Sequence, residues 1–514
     1  MSSAAIDTKS ATDSAATVRS EPVTPDSLAR VFVRGGMSLG AAYSIERGTT
    51  FLAGLLAARI AGASAFGAYA LALSTASMVA SYSGAGIGST ANRFSGQFQR
   101  SSPGYRGFVR ALALISLASA SLATLLLLAG SGPLAAVLLH NSGLAGLLRG
   151  AAFMGGAVVL AECCKGFLIG QRRVGALILW SIVSGAGLLV VLPLTARINP
   201  AAMITGQTAV LTGAVAAVIL FRRRLGLSPI RADSNAVAGP AIKPVLMFGL
   251  VQLSGVAGIN IASWWIAALV ASSDPALHQM GYYSAANQLR ALACIAPGLL
   301  AQATYPLLSR ESGDAYGGPD RVMAQGAIVS TIMATCAALA IVLVLPWAVA
   351  AMYGASFISS EPVAGLLLGA AVIHMGGIPA ANRLSIVSPR ALALVNGLWA
   401  LLLCGLGSLF AVRWGALGAS AAFLIAHACS QCFVMFCLKL RGALPRLLLL
   451  SFFGGLLAAM MIAGLAMARV WNVGISPGAA CFTTAGCLTI VAILFRGLRA
   501  GAVNKPGAAN TADE

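Results

Sequence analysis

MAQGAIVSTIMATCAALAIVLVL, residues 323–345, is a run of 23 residues with no acidic or basic side chain. As an α-helix it is about 35 Å long, enough to cross a hydrocarbon layer about 30 Å thick. Comparable runs recur between residues 36 and 495. Of 514 residues, 58% are apolar and 9% charged, against roughly 25% charged in an ordinary soluble domain. That supply cannot cover a water-facing surface. The chain reads as an all-α, polytopic membrane protein with about 14 transmembrane helices and little mass outside the bilayer.

Working outward, clusters of Pro, Gly and charge place crossings near residues 36–57, 66–89, 108–129, 147–170, 175–194, 201–221, 244–270, 281–307, 323–345, 362–386, 390–412, 416–438, 447–468 and 476–495. With the N-terminus in the cytoplasm, 24 of the 33 Lys and Arg residues fall in inner segments or, as Arg110 and Arg390, at the innermost ends of crossings, four (Arg59, Arg197, Arg413, Arg469) in outer loops and five elsewhere in crossings. A wrong count would scramble this alternation, so both termini are expected to be cytoplasmic. Residues 1–30 are rich in Ser, Ala and Thr and lack the basic-then-apolar pattern of a cleaved signal. They read as a disordered cytoplasmic tail, and residues 496–514 as a second cytoplasmic tail.

The formal charge of +19 is that of many nucleic-acid binders, but the basic residues sit between apolar runs. There they act as orientation signals and lipid-facing charge, and no nucleic-acid partner is expected. All ten cysteines lie in apolar runs or at their ends. Cys429 and Cys432 form a C-x-x-C spacing inside a crossing with no second pair nearby, which reads as packing rather than metal or redox chemistry. No cofactor or metal is expected.

The longest inner loop, residues 222–243 with Pro229, Gly239 and Pro240, reads as an interlobe linker. It separates an N-terminal lobe, 31–221, from a C-terminal lobe, 244–438, and residues 439–495 form two extra helices. A helix opening near Gly36 is answered by one near Gly249, and FGAYALALS from Phe66 by MGYYSAANQL from Met280. The offsets, 213 and 214 residues, point to a duplicated six-helix unit in one orientation.

ARIAGASAFGAYALALS, residues 58–74, followed by a Gly-rich helix and Asn92-Arg93, resembles the opening of bacterial polysaccharide and O-antigen flippases. WGALGASAAF, residues 414–423, resembles their Gly-rich turn before the twelfth helix, and Gln171-Arg172-Arg173 and Ser388-Pro389-Arg390 fit their 4–5 and 10–11 connections. These proteins belong to the multidrug, oligosaccharidyl-lipid and polysaccharide exporter superfamily. The resemblance implies a monomeric, two-lobed transporter in the bacterial inner membrane. It implies a polyprenyl-diphosphate-linked oligosaccharide as substrate, with membrane lipids, a polysaccharide polymerase and other assembly proteins as partners. Lipid II flippases share the span number and the charge, but GGMSLGAAYSIERGTTFLAGLLAARI, residues 35–60, lacks the Arg-rich turn expected of that branch.

An ionisable side chain facing lipid at mid-span costs about 2.5–3.5 kcal/mol, so the six charges within crossings should face the interior. They are Glu46, Arg47, Glu162, Lys165, Arg290 and Arg383, with Arg149 at the outer edge of the fourth crossing. Glu46 and Arg47 in the first crossing and Arg290 in the eighth fall near the midplane. Arg47 and Arg290 are candidate contacts to a lipid diphosphate, because guanidinium binds phosphate bidentately and keeps its proton. A structural tie to a carboxylate is the alternative for each. Arg93 and Arg383 lie near the inner ends of their crossings, where a headgroup would arrive, and snorkelling to lipid phosphate explains them equally well. Glu162 and Lys165, three residues apart, read as an intrahelical pair. Glu46, Glu162 and Lys165 are the candidates for coupling to an ion gradient. His374 and His427 receive no role.

A membrane-embedded polymerase or glycosyltransferase would need acids at the outer face, and the short outer loops offer only Asp274 and Glu361, at separate sites. An enzyme is not expected. A multidrug exporter would be more aromatic than 7% and would lean acidic, whereas four of the six charges within crossings are basic.

Overall fold

A computed structural model describes residues 25–84, 86–97, 105–225, 227, 242–308, 318–440, 445–470 and 477–503. The elements are α1 (Pro25–Ser83), α2 (Ile87–Gln97), α3 (Tyr105–Pro133), α4 (Ala145–Gly170), α5 (Val174–Ala196), α6 (Pro200–Leu220), α7 (Ile242–Ser272), α8 (His278–Ala293), α9 (Ile295–Leu308), α10 (Pro319–Met352), α11 (Glu361–Val387), α12 (Pro389–Lys439), α13 (Arg446–Val470) and α14 (Pro477–Val503). No strand occurs among the described residues. That is the menu a bilayer permits, since a helix satisfies its own backbone polar groups.

Helices and crossings do not correspond one to one. Ten described helical stretches are long and apolar enough to span. Two of them, Gly40–Ser83 and Pro389–Lys439, run 44 and 51 residues, about twice what one crossing needs. Each is interrupted by a glycine at positive φ, Gly62 at 77° and Gly415 at 55°. The two Gly-rich motifs singled out in the sequence therefore mark the points where consecutive crossings meet, a conformation that favours a residue without Cβ. The eighth crossing is split at Cys294 into α8 and α9. Pro297 explains the break, because its ring removes one backbone donor and crowds the preceding turn. With α7 and the α8–α9 path added, the fourteen crossings are accounted for.

The tails are shorter than expected. Residues 25–30 begin α1 and residues 496–503 end α14. Pro25 suits a first helical position, and Leu28, Ala29 and Arg30 propagate a helix readily. Residues 1–24, 504–514 and most of the expected linker, including Pro229, Gly239 and Pro240, lie outside the described residues.

Helices α1–α6 pack among themselves, as do α7–α12, and α13 lies against α10 and α11. Small residues let α13 approach: a Cβ on Gly365 would strike Ala466, and one on Gly369 would meet the carbonyl of Ala459. The two six-helix units meet mainly through α1 against α7 and α8. At one end of the bundle, a Cβ on Gly67 would collide with the carbonyl of Leu277, and a Cβ on Gly281 with the carbonyl of Ala63. Both pairs are separated by 214 residues along the repeat, 63 with 277 and 67 with 281. Each unit thus touches its own counterpart in the other, as a pseudo-twofold axis requires. Nearby, Ser64 Oγ donates to the Ala276 carbonyl and the Arg59 guanidinium to that of Ala351. Further along, Trp264 Nε1 donates to Thr75 Oγ1 at 3.1 Å and Tyr82 to the Ala257 carbonyl.

A side chain at position 67 or 281 cannot be absorbed by a rotamer change, because the obstructing atoms are backbone. Overpacking of this kind costs about 1–3 kcal/mol, worth roughly five- to 150-fold in a two-state equilibrium. Gly67→Ala and Gly281→Ala should therefore each lower the disulfide yield between Ser64→Cys and Ala276→Cys, measured in a background without the native cysteines. An unchanged yield would remove the pseudo-twofold contact as a determinant of this end's closure.

Candidate functional site

The charges within crossings separate into three environments. In the first unit, Glu46 and Arg47 are consecutive on α1 and point about 100° apart. Glu46 turns toward α4, where its carboxylate accepts from Lys165 Nζ at 3.1 Å. Lys165 also contacts Glu162 Oε1 at 2.7 Å, one turn earlier on its own helix. One ammonium therefore bridges two carboxylates from two helices, leaving the group a net charge of −1. The sequence spacing revealed the Glu162 arm; the Glu46 arm depends on how α1 lies against α4. The side chains of Lys165 and Glu46 are 21% and 26% exposed, that of Glu162 53%, so the Glu46 arm is the better shielded. Tyr43, Ser181 and Leu177 line, with this pair, a narrow crevice. Arg47 is exposed and forms no ion pair among the described residues.

In the second unit, Arg290 occupies the last turn of α8, one turn before the break at Cys294. Its Nε donates to Asn287 Oδ1 at 2.8 Å, and its guanidinium carbon lies 5.0 Å from the centre of the Phe423 ring on α12. His427, one turn beyond Phe423, is 4.6 Å from it, 5.2 Å from Trp399 and 4.6 Å from His374 of α11. Trp399, Phe423 and His427 are buried, and the Trp399 indole nitrogen has no hydrogen-bond partner. No carboxylate pairs with Arg290 among the described residues.

This cluster was only partly legible. Phe423 and His427 share a helix face by their spacing of four, but the 53 residues between His374 and His427 carry no sign that α11 and α12 bring the two imidazoles together.

Arg383 has a third environment. Its Nε pairs with Asp320 of α10 at 3.0 Å and its Nη1 donates to the Leu308 carbonyl at 3.2 Å, tying α11 to α9 and α10. Arg93 is exposed on α2, its guanidinium carbon 6.0 Å from the ring of Phe94. Cys429 and Cys432 are exposed free thiols on α12. No group of three or more His, Cys, Asp or Glu able to hold a metal occurs among the described residues.

Residues 32–312 match the family described as Polysaccharide biosynthesis protein. The chain belongs to this family. Among curated proteins none matches. Solved structures with the same fold include the lipid II flippase MurJ in an inward closed conformation, at 13% identity and TM-score 0.63, covering 90% of this chain and 98% of that one. A transporter of the MOP superfamily from Pyrococcus furiosus aligns at 12% identity and TM-score 0.56, over 84% and 96% of the two chains. An inward-facing multidrug resistance MATE transporter aligns at 14% identity and TM-score 0.55, over 85% and 99%. As a member of the polysaccharide biosynthesis family with a transporter fold, the chain is a multi-pass membrane protein. At these identities the likeness to the solved structures establishes the fold alone.

The bridging geometry around Lys165 makes its removal costlier than removal of either acid, because Glu46 and Glu162 would then face each other unopposed. Lys165→Met should lower the detergent-solubilised melting temperature more than Glu162→Gln, whose exposed arm is worth about 1 kcal/mol or less. Combining Lys165→Met with Glu46→Gln should recover part of the loss in a double-mutant cycle. Strict additivity would show that Glu46 and Lys165 are not coupled.

Proposed function

We propose that this member of the family is a flippase that carries a polyprenyl-diphosphate-linked oligosaccharide from the inner to the outer leaflet of the bacterial cytoplasmic membrane. It works by alternating access between its two six-helix units, with both termini in the cytoplasm. The glycan serves polysaccharide biosynthesis, as O-antigen, exopolysaccharide or capsule. The chain is a transporter and not an enzyme in this reading.

One observation carries the choice of an anionic lipid. Arg290 is a permanently charged guanidinium inside the second unit whose partners among the described residues are a neutral amide and an aromatic ring. Its terminal nitrogens can offer two parallel donors to a phosphate, the geometry in which arginine binds such groups best. Arg383 differs, since Asp320 already neutralises it, which favours a positioning or locking part for it. Arg47 and Arg93, both exposed, supply positive charge where the diphosphate enters or rests. The Glu46–Lys165–Glu162 group supports coupling to an ion gradient: protonation or cation binding at either carboxylate changes its hold on Lys165, and with it the packing of α1 on α4.

In proteoliposomes, flipping of a fluorescent polyprenyl-diphosphate oligosaccharide should fall by roughly tenfold or more in Arg290→Ala, the consequence of losing a charge-assisted contact worth about 1.5–3 kcal/mol. Normal flipping by a well-folded Arg290→Ala protein would overturn the diphosphate reading. Collapse of the proton and sodium gradients should slow wild-type flipping and leave Glu46→Gln less affected; flipping indifferent to both gradients would remove the coupling.

A further inference from the structure

The surroundings of Arg290 set two requirements that pull in opposite directions. A guanidinium in a low-dielectric interior needs partners, yet a carboxylate partner would occupy the fork that a phosphate must use. The structure resolves this with neutral groups. Asn287, three residues earlier on α8 and so on the same helix face, accepts from Nε at 2.8 Å. The Phe423 ring lies beneath the guanidinium carbon at 5.0 Å, within the range where the ring quadrupole attracts a cation without using a hydrogen-bond donor. Nε is the one guanidinium nitrogen that a bidentate contact through the two terminal nitrogens leaves spare. Phe423 is in turn fixed by an edge-on contact with Trp399, ring centres 5.8 Å apart, and by His427 at 4.6 Å.

We infer that Asn287 and Phe423 are positioning residues that preset Arg290 as an uncompensated clamp for the diphosphate, and that the neutrality of Asn287 is itself a functional requirement. This rests on the diphosphate reading above and adds a claim that can fail on its own. Asn287→Asp is close to isosteric and keeps the acceptor on Nε, so a purely structural role tolerates it or gains from it. A clamp role does not, because the new carboxylate cancels the charge offered to phosphate and repels the ligand.

The test measures binding of geranylgeranyl diphosphate, inorganic pyrophosphate and the neutral alcohol geranylgeraniol to the full-length protein in nanodiscs, with the melting temperature followed in parallel. Asn287→Asp should weaken geranylgeranyl diphosphate binding by about tenfold or more, as Arg290→Gln does, with geranylgeraniol binding within about twofold of wild type and the melting temperature preserved. Phe423→Leu should weaken diphosphate binding by a smaller factor, roughly three- to tenfold, and provides the reading if Asn287→Asp does not fold. Pyrophosphate should follow the same order if the clamp reads phosphate alone; loss confined to the prenylated ligand would show that the lipid, not the phosphate, is sensed, and would overturn the clamp. Wild-type diphosphate binding by Asn287→Asp and Phe423→Leu, with loss in Arg290→Gln, overturns the positioning claim while the diphosphate reading stands. Wild-type binding by Arg290→Gln overturns both.

Discussion

Helices in hydrocarbon gain no hydrophobic free energy from burying one another, because the lipid they displace is as apolar as they are. Association then depends on how closely backbones can approach, and that depends on where side chains are missing. Among the described residues several close approaches are glycine contacts: Gly166 against the carbonyl of Gly88, Gly170 against that of Asn92, Gly67 and Gly281 against the counterpart repeat, Gly365 against Ala466. The first two seat α2 on α4, the next two join the units at one end, and the last attaches α13. Each fixes the distance between helices whose other side chains then fill the remaining space with dispersion contacts.

The same medium sorts the charges. A group drawn into it must be neutralised nearby, reach water or be held in readiness for a ligand of opposite sign. Arg383 takes the first course through Asp320, and the exposed Arg47 and Arg93 are placed for the second. Lys165 is neutralised twice over, so removing one of its acids leaves an ion pair rather than a lone cation. Arg290 is cushioned by uncharged groups, the Asn287 amide and the Phe423 ring. The two units, alike in fold, therefore hold different charge arrangements: a cation bridged by two carboxylates beside the exposed Arg47 in the first, and a cation held by uncharged groups in the second.

How much of this could be read beforehand follows from the range of each interaction. Uncharged runs such as residues 323–345 report on their own environment, and they carried the class and the number of crossings. The repeat was legible because duplication leaves an offset, and that offset of 214 residues reappears in space at Gly67 and Gly281. The breaks were partly legible: Gly62 and Gly415 lie inside motifs already notable for their glycines, whereas the division of the eighth crossing at Cys294 needed more weight on Pro297. The helix ends were misread where polar residues continue a helix beyond its apolar run, as at residues 25–30 and 496–503. For the site, the charged residues were visible as anomalies, but their partners were not, except at i,i+3. Glu46 with Lys165 and Arg383 with Asp320 join different helices, and nothing local encodes which helices are neighbours.

Helix α11 is the most enclosed of the described long helices, flanked by α10 and α12 in its own unit and covered by α13. His374 and Arg383, on that helix, are both partly buried. The appended helices thus act as a sheath on one unit and leave the other unsheathed. A bilayer that thickens, thins or changes its headgroups presses directly on the crossings of the first unit, while in the second its influence on α11 is transmitted through α13. Two units descended from one ancestor would in this way have acquired different sensitivities to the same membrane.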